Sequence, residues 1–214
     1  SNIPVNSHEF IQVSDKNYFG LSAIYEYRPI ALGEWTEDFN NLGYIADGQV
    51  NEFLWKGIAI SEFDKNTKEE VWTWNPFEHF STDDFDKYGA TWWEALINGY
   101  YDWMHTNSLD FDEEEQAIYL SIRHLSRISK ISYPSGDVMW NMGLPQEYGT
   151  GTDNICNELL FSFQHHVQLI NGNELIFFDN GNLSNQLLDY GPISRGMKIK
   201  VLEGDSCQVL WEYS

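Results

Sequence analysis

An all-β repeat architecture is predicted by three observations: an aromatic-rich composition, three hairpins that end on an aligned tryptophan, and three histidine-led hairpins interleaved with them. Aromatic residues make up 16% of the 214 residues, and such side chains favour the pleated surface of a sheet. Hydrophobic residues reach 42%, too many for a disordered chain. Trp72, Trp140 and Trp211 recur at a spacing of about 70 residues, and self-similarity at a fixed spacing marks a repeat.

The elements follow in order. His8-Glu9-Phe10-Ile11-Gln12-Val13 alternates as a strand, then turns at Asp15-Lys16-Asn17 into Tyr18-Phe19-Gly20-Leu21. Residues 60–64 and 71–74 make the first tryptophan hairpin around Lys65-Asn66-Thr67-Lys68. An insertion over 76–104 comes next. Ser81-Thr82-Asp83-Asp84 reads as a helix start, and Trp92-Trp93-Glu94-Ala95-Leu96-Ile97 as a short helix that Gly99 ends. His105-Thr106-Asn107-Ser108-Leu109-Asp110-Phe111 turns through 112–115 into Ile118-Tyr119-Leu120. Residues 128–132 and 139–142 form the second tryptophan hairpin around Pro134-Ser135-Gly136-Asp137. His165-His166-Val167-Gln168-Leu169-Ile170 turns at Asn171-Gly172-Asn173 into Leu175-Ile176-Phe177-Phe178, and Asn-Gly is the strongest short hairpin signal. Residues 199–202 and 210–213 close the third repeat around Glu203-Gly204-Asp205-Ser206.

Two hairpins per repeat make a four-stranded antiparallel sheet, and such sheets set around an axis make a β-propeller. The expected unit is one propeller-type domain over residues 1–214. Three repeats do not close a ring. The expectation is therefore an incomplete portion, completed by further residues or by a second chain, a homo-oligomer included. A β-sandwich would account for the strands but not for two interleaved repeats.

Twelve Lys and Arg against 33 Asp and Glu give a net charge of −21. That field repels phosphate backbones and acidic membrane surfaces, so neither nucleic acid nor a membrane is expected as partner. No run of 18 apolar residues exists to span a bilayer. Ser1-Asn2-Ile3-Pro4 lacks a signal peptide's apolar core and reads as the start of a mature or trimmed chain. Cys156 and Cys207 can pair in an oxidising compartment, but two cysteines do not reveal the compartment.

His8, His105 and His165 each open a corresponding strand. In a propeller, equivalent strand starts lie at one level around the central channel, so the three would converge. Zinc accepts such sets, but a fixed Arg123 cation beside them opposes a metal, and neither metal nor cofactor is expected. No G-x-x-x-x-G-K-[ST] and no H-E-x-x-H occurs. Residues 110–115 lack the glycine and spacing of a calcium loop. His166 and His124 would face away from His165 and Arg123 by strand alternation, and His79 reads as a surface residue. Trp92, Trp93, Tyr100, Tyr101 and Trp103 could line a slot for aromatic rings.

The run Asp102-Trp103-Met104-His105-Thr106-Asn107-Ser108-Leu109, with Leu120-Ser121-Ile122-Arg123-His124, resembles the central signature of the aryl-sulfate sulfotransferase family. So does Phe163-Gln164-His165-His166, with Asn171-Gly172-Asn173 and Phe178-Asp179-Asn180-Gly181-Asn182; the His8 block matches more loosely. The resemblance implies a six-bladed propeller that moves a sulfuryl group from an aryl sulfate to a phenol without a nucleotide. It implies that His165 becomes a transient sulfohistidine, that His105, Asn107 and Arg123 hold the sulfate oxygens, and that His8 adds a further contact. Tyr101 and Trp103 would then contact the aryl ring, and the expected location is periplasmic or secreted. Bacterial members carry a small disulfide loop upstream of the nucleophile, whereas here only Cys156 lies nearby. The competing expectation is a propeller that binds a ligand or partner without catalysis.

Overall fold

The computed structural model describes residues 5–13, 17–87, 90–145, 148, 154–188, 191–203 and 206–214, with side chains from Glu9 onward. The elements are β1 (Val5–Gln12), β2 (Asn17–Arg28), α1 (Thr36–Asn41), β3 (Phe53–Asp64), β4 (Glu70–Trp74), α2 (Thr91–Asn98), β5 (Tyr101–Asp102), β6 (Thr106–Asp112) and β7 (Ala117–Ile122). They continue with β8 (Arg127–Ser132), β9 (Val138–Gly143), β10 (His165–Asn171), β11 (Glu174–Asp179), α3 (Ser184–Leu187), β12 (Arg195–Val201) and β13 (Cys207–Tyr213).

Local hairpins dictate the topology. Three sheets run β1-β2-β3-β4, β6-β7-β8-β9 and β10-β11-β12-β13, each antiparallel throughout. The two-residue β5 joins the first sheet in parallel, placing Tyr101 opposite Trp55 and Asp102 opposite Lys56. The chain is thus mostly β, in three sheets built on four antiparallel strands each, the first with β5 added, and these do not form a closed ring among the described residues.

Neighbouring sheets stack through apolar faces and through polar stitches. Between the first two, Phe19 meets Phe111 and Tyr133 edge-on, at 5.4 and 5.5 Å. Trp72 Nε1 donates to Pro134 O at 2.9 Å and Trp74 Nε1 to Gly136 O at 3.0 Å. Gly136 sits at φ +82, and a Cβ there would lie 3.1 Å from Trp74. The repeated tryptophan is therefore no fixed structural part: Trp72 braces the next sheet's turn, while Trp211 is 51% exposed and stacks on Tyr213.

Between the second and third sheets, β10 packs on β6 and β7. An edge strand exposes unpaired amides, and β6 side chains meet these. Val167 N donates to Ser108 Oγ at 2.9 Å and Leu169 N to Asp110 Oδ2 at 2.7 Å. Asn107 Nδ2 donates to Gln164 O at 2.8 Å. Cys156 and Cys207 form a disulfide that ties the 3-10 turn Asn157–Leu159 to the start of β13. Its 51-residue span corresponds to roughly 4 kcal/mol in the chain-entropy treatment.

The insertion differs from its expected form at one end. α2 and its Gly99 cap form as expected, with Gly99 at φ +72. Ser81 to Asp84 makes a turn instead of a helix start, because Ser81 Oγ and O accept from Asp83 N and Asp84 N. That turn buries Asp84, whose carboxylate meets the wholly buried Arg127 at 2.8 Å. Arg127 also lies over the Phe80 ring, 5.3 Å from its centroid.

Breaking a fully buried pair leaves a charge stripped of its counter-ion, at a cost of about 3–5 kcal/mol. Asp84→Ala should lower unfolding stability by about that amount in a denaturant titration. The double variant Asp84→Leu with Arg127→Met should recover most of the loss.

Candidate active site

The described site residues sit where strands begin or end. His165 is the first residue of β10, and its Nδ1 lies 3.1 Å from Phe163 O. A carbonyl only accepts, so Nδ1 carries the hydrogen and the Nε2 lone pair of the neutral ring is left for chemistry. Burial and the Arg123 charge lower the His165 pKa from its ordinary 6.5, partly offset by hydrogen bonds to Phe163 O and the Asn180 side chain. The ring is therefore neutral at pH 7.

Arg123 follows β7 and lies over Phe163, 4.6 Å from the ring centroid. Burial depresses its pKa, against the nearby charges of Glu94, Asp102 and Asp86. Among the described residues no carboxylate forms an ion pair with its guanidinium. A half-buried fork without an ion-pair partner suits a two-oxygen anion.

His105 stands at φ +45, and its Nδ1 lies 2.7 Å from Asp102 Oδ2. Lys56 Nζ approaches the same oxygen at 3.4 Å. Burial would raise the Asp102 pKa, but the His105 hydrogen bond and the His124 and Lys56 charges outweigh it and hold it at about 2. His124 lies 4.7 Å from His105, ring to ring, and its Nδ1 donates to Asp102 O. Burial, then the His105 charge, pushes the His124 pKa down to about 3, against Asp102.

Three strand openings share a further feature. The register shifts between Val5 and Phe10, between Thr106 and Ser108, and between His165 and Gln168. Each shift falls at or beside a repeat histidine. Such bulges re-aim a side chain and recur beside active sites.

The loop after β11 is equally constrained. Asp179 Oδ1 accepts from Ser162 N and Gly181 N, and Oδ2 from Arg195 Nε at 2.9 Å. Gly181 has φ +66, and a Cβ there would stand 1.7 Å from Ile193 O. Asp179 and Gly181 thus fix the loop, and Asn180 reaches His165.

The structure brings His105, Arg123 and His165 into one electrostatic neighbourhood: Arg123 and His105 both act on the His165 ring, and Phe163 touches Arg123, His124 and His165. The side chain of His8 lies outside those described. Asn107 is only 6% exposed, with its amide spent on Gln164 O and its Oδ1 facing Ser108 and His166 N. Tyr101 and Trp103 are corrected. Both are wholly buried: Tyr101 stacks on Trp92 at 3.9 Å, and Trp103 on Phe77 at 5.0 Å with Nε1 bonded to Asp84 O. They form part of the insertion's core. His124 is a second correction, since β7 ends at Ile122 and strand alternation does not reach it. His166 and His79 are exposed, the latter stacked on Trp74.

Asp102, His105 and His124 offer ligand atoms within 4.8 Å of one another. Lys56 at Asp102 and the Arg123 charge acting on His124 place two cations beside that set, so the neighbourhood does not favour a divalent ion.

These sheets and this histidine–arginine cluster define a β-repeat protein with an anion-suited polar centre. The Arylsulfotransferase (ASST) family model matches residues 55–213, and the chain belongs to that family. No curated protein matches it.

His124 gives a pH test of stability. Its folded pKa of about 3 lies below the ordinary 6.5. Below 6.5 the unfolded chain binds a proton that the folded chain refuses, so stability is full above 6.5 and lost as pH falls toward 3. The loss should approach about 1.4 kcal/mol per pH unit. Denaturant titrations at pH 6.5 and 5.5 should show it, and His124→Asn should flatten it.

Proposed function

We propose that the chain transfers a sulfuryl group from an aryl sulfate to a phenol, with His165 as the covalent carrier. The observation that carries this reading is His165 with its Nδ1 committed to Phe163 O, beside an Arg123 that has no ion-pair partner among the described residues. Membership of the Arylsulfotransferase (ASST) family supports the reaction class.

The physics fits each step. A sulfate ester resists anionic attack because its oxygens repel an incoming lone pair, and a neutral imidazole avoids part of that repulsion. His165 Nε2 attacks sulfur, the S–N bond forms and the bond to the aryl oxygen breaks. Arg123 faces two sulfuryl oxygens as charge shifts in the transition state. His105 gives a proton to the departing phenolate and recovers one from the incoming phenol. His8 is proposed as a further sulfate contact. Asn107 acts through Gln164, by fixing the approach of β10.

Further sheets, from the same polypeptide or a second copy, would complete a six-bladed ring around this centre. A formed disulfide accords with an oxidising, periplasmic or extracellular compartment.

4-Nitrophenyl sulfate with added phenol provides the test. Phenol-dependent nitrophenolate release is expected, and His165→Ala should abolish it. Release that persists in the folded variant, or a folded wild type with no release, would leave a binding protein in place of an enzyme. The acid limb of kcat/KM should lie below pH 6.5, since burial and Arg123 keep His165 unprotonated. Arg123→Gln removes one of those causes, so the limb should move up toward 6.5 while kcat falls.

A further inference from the structure

We infer that Asp102, itself anchored by Lys56, is the positioning residue that fixes which nitrogen of His105 serves the reaction. The inference rests on the sulfuryl-transfer reading for its consequence, but its geometry stands alone. Asp102 belongs to β5, a two-residue strand held against β3 with Asp102 opposite Lys56. Its Oδ2 takes the His105 Nδ1 contact at 2.7 Å and the Lys56 contact at 3.4 Å. Its Oδ1 is buried with no hydrogen-bond partner among the described residues. Its main-chain oxygen holds His124, whose ring flanks His105. One residue thereby places both imidazoles.

An ionised carboxylate only accepts, so His105 must present its hydrogen at Nδ1. Nε2 is then the nitrogen that exchanges the reaction's proton. It is protonated when the donor's aryl oxygen leaves, bare after that oxygen takes the proton, and protonated again by the acceptor's hydroxyl. The proton count closes over one turnover. The charged groups around the pair are Asp102, Lys56 from β3 and Arg123 after β7; the titratable groups are His124, also after β7, and His165 from β10 beyond. Asp102 Oδ2 is the carboxylate oxygen seated at His105 Nδ1, 2.7 Å away.

Asp102→Asn can turn its amide hydrogens toward Nδ1 and enforce the opposite tautomer; the ring then lacks the carboxylate that supports an imidazolium, so it is a weak proton donor to the departing phenolate, and its protonated Nε2 cannot take the acceptor's proton. The test compares phenyl sulfate donors of graded leaving-group acidity. A poor leaving group needs the proton and a good one does not. In the first half-reaction, read as phenol release in the absence of acceptor, Asp102→Asn should cut the rate about 100-fold or more for 4-methylphenyl sulfate, within the range of acid–base assistance, with a much smaller loss for 4-nitrophenyl sulfate. Asp102→Glu should restore part of the loss. An equal loss for both donors in that half-reaction would make Asp102 structural and overturn the inference.

Nitrogen-15 spectra of the imidazoles separate this from the function itself. Without any substrate, the neutral form of His105 should be the Nδ1–H tautomer in wild type and change in Asp102→Asn. An Nε2–H tautomer in wild type overturns the inference whether or not sulfate is transferred. The Nδ1–H form supports it even if wild type transfers none, in which case the sulfuryl-transfer reading alone has failed.

Discussion

Arg127 and Asp84 bring opposite charges together wholly out of water. An ion so placed costs several kcal/mol unless a partner meets it with good geometry, so the insertion can close over the second sheet only in the arrangement that aligns these two. The rest of the site inherits that registration. Trp103 Nε1 bonds the backbone of Asp84, the preceding Tyr101 and Asp102 add β5 to the first sheet, and His105 follows directly. On the other side, the backbone oxygen of Arg127 accepts from Gln164 Nε2, the residue before His165. One buried ion pair therefore stands between both histidine strands.

Around that anchor, the chain holds its reactive groups through unfavourable local conformations. His105, Phe163 and His166 have positive φ, and the repeat histidines lie at register shifts. Left-handed backbone at such residues costs of order 1 kcal/mol each and persists only where surrounding contacts over-determine it. Here the contacts are stitches from β6 to β10 and the clamp of Asp179 by Arg195, Ser162 and Gly181. The net charge of −21 makes the cations Lys56 and Arg123, drawn inward beside the histidines, the groups that can favour an anion locally.

The sheets were legible because their signals are local: alternation and polar turns such as Asn171-Gly172-Asn173 set each hairpin without reference to the rest. His105, Arg123 and His165 were legible through their motif. What escaped depends on tertiary context. β5 is two residues long, too short for any periodicity, so Asp102 carried no sign of its pairing with Lys56 and His105. His124 was misread because alternation was carried past the end of β7. Tyr101 and Trp103 were misread because aromatic residues beside a motif look the same whether they face a ligand or a core. α1 left no amphipathic signature in six residues, of which Phe39 alone is buried.

The central claim is that His165 itself carries the sulfuryl group. The direct measurement is a mass spectrum of the protein after reaction with 4-nitrophenyl sulfate in the absence of any phenol, quenched in base and digested. The account predicts one sulfuryl-sized mass gain, confined to the peptide and the imidazole of His165, that disappears when phenol is added. Nitrophenolate release with no modified histidine, or with the group on another residue, would contradict it.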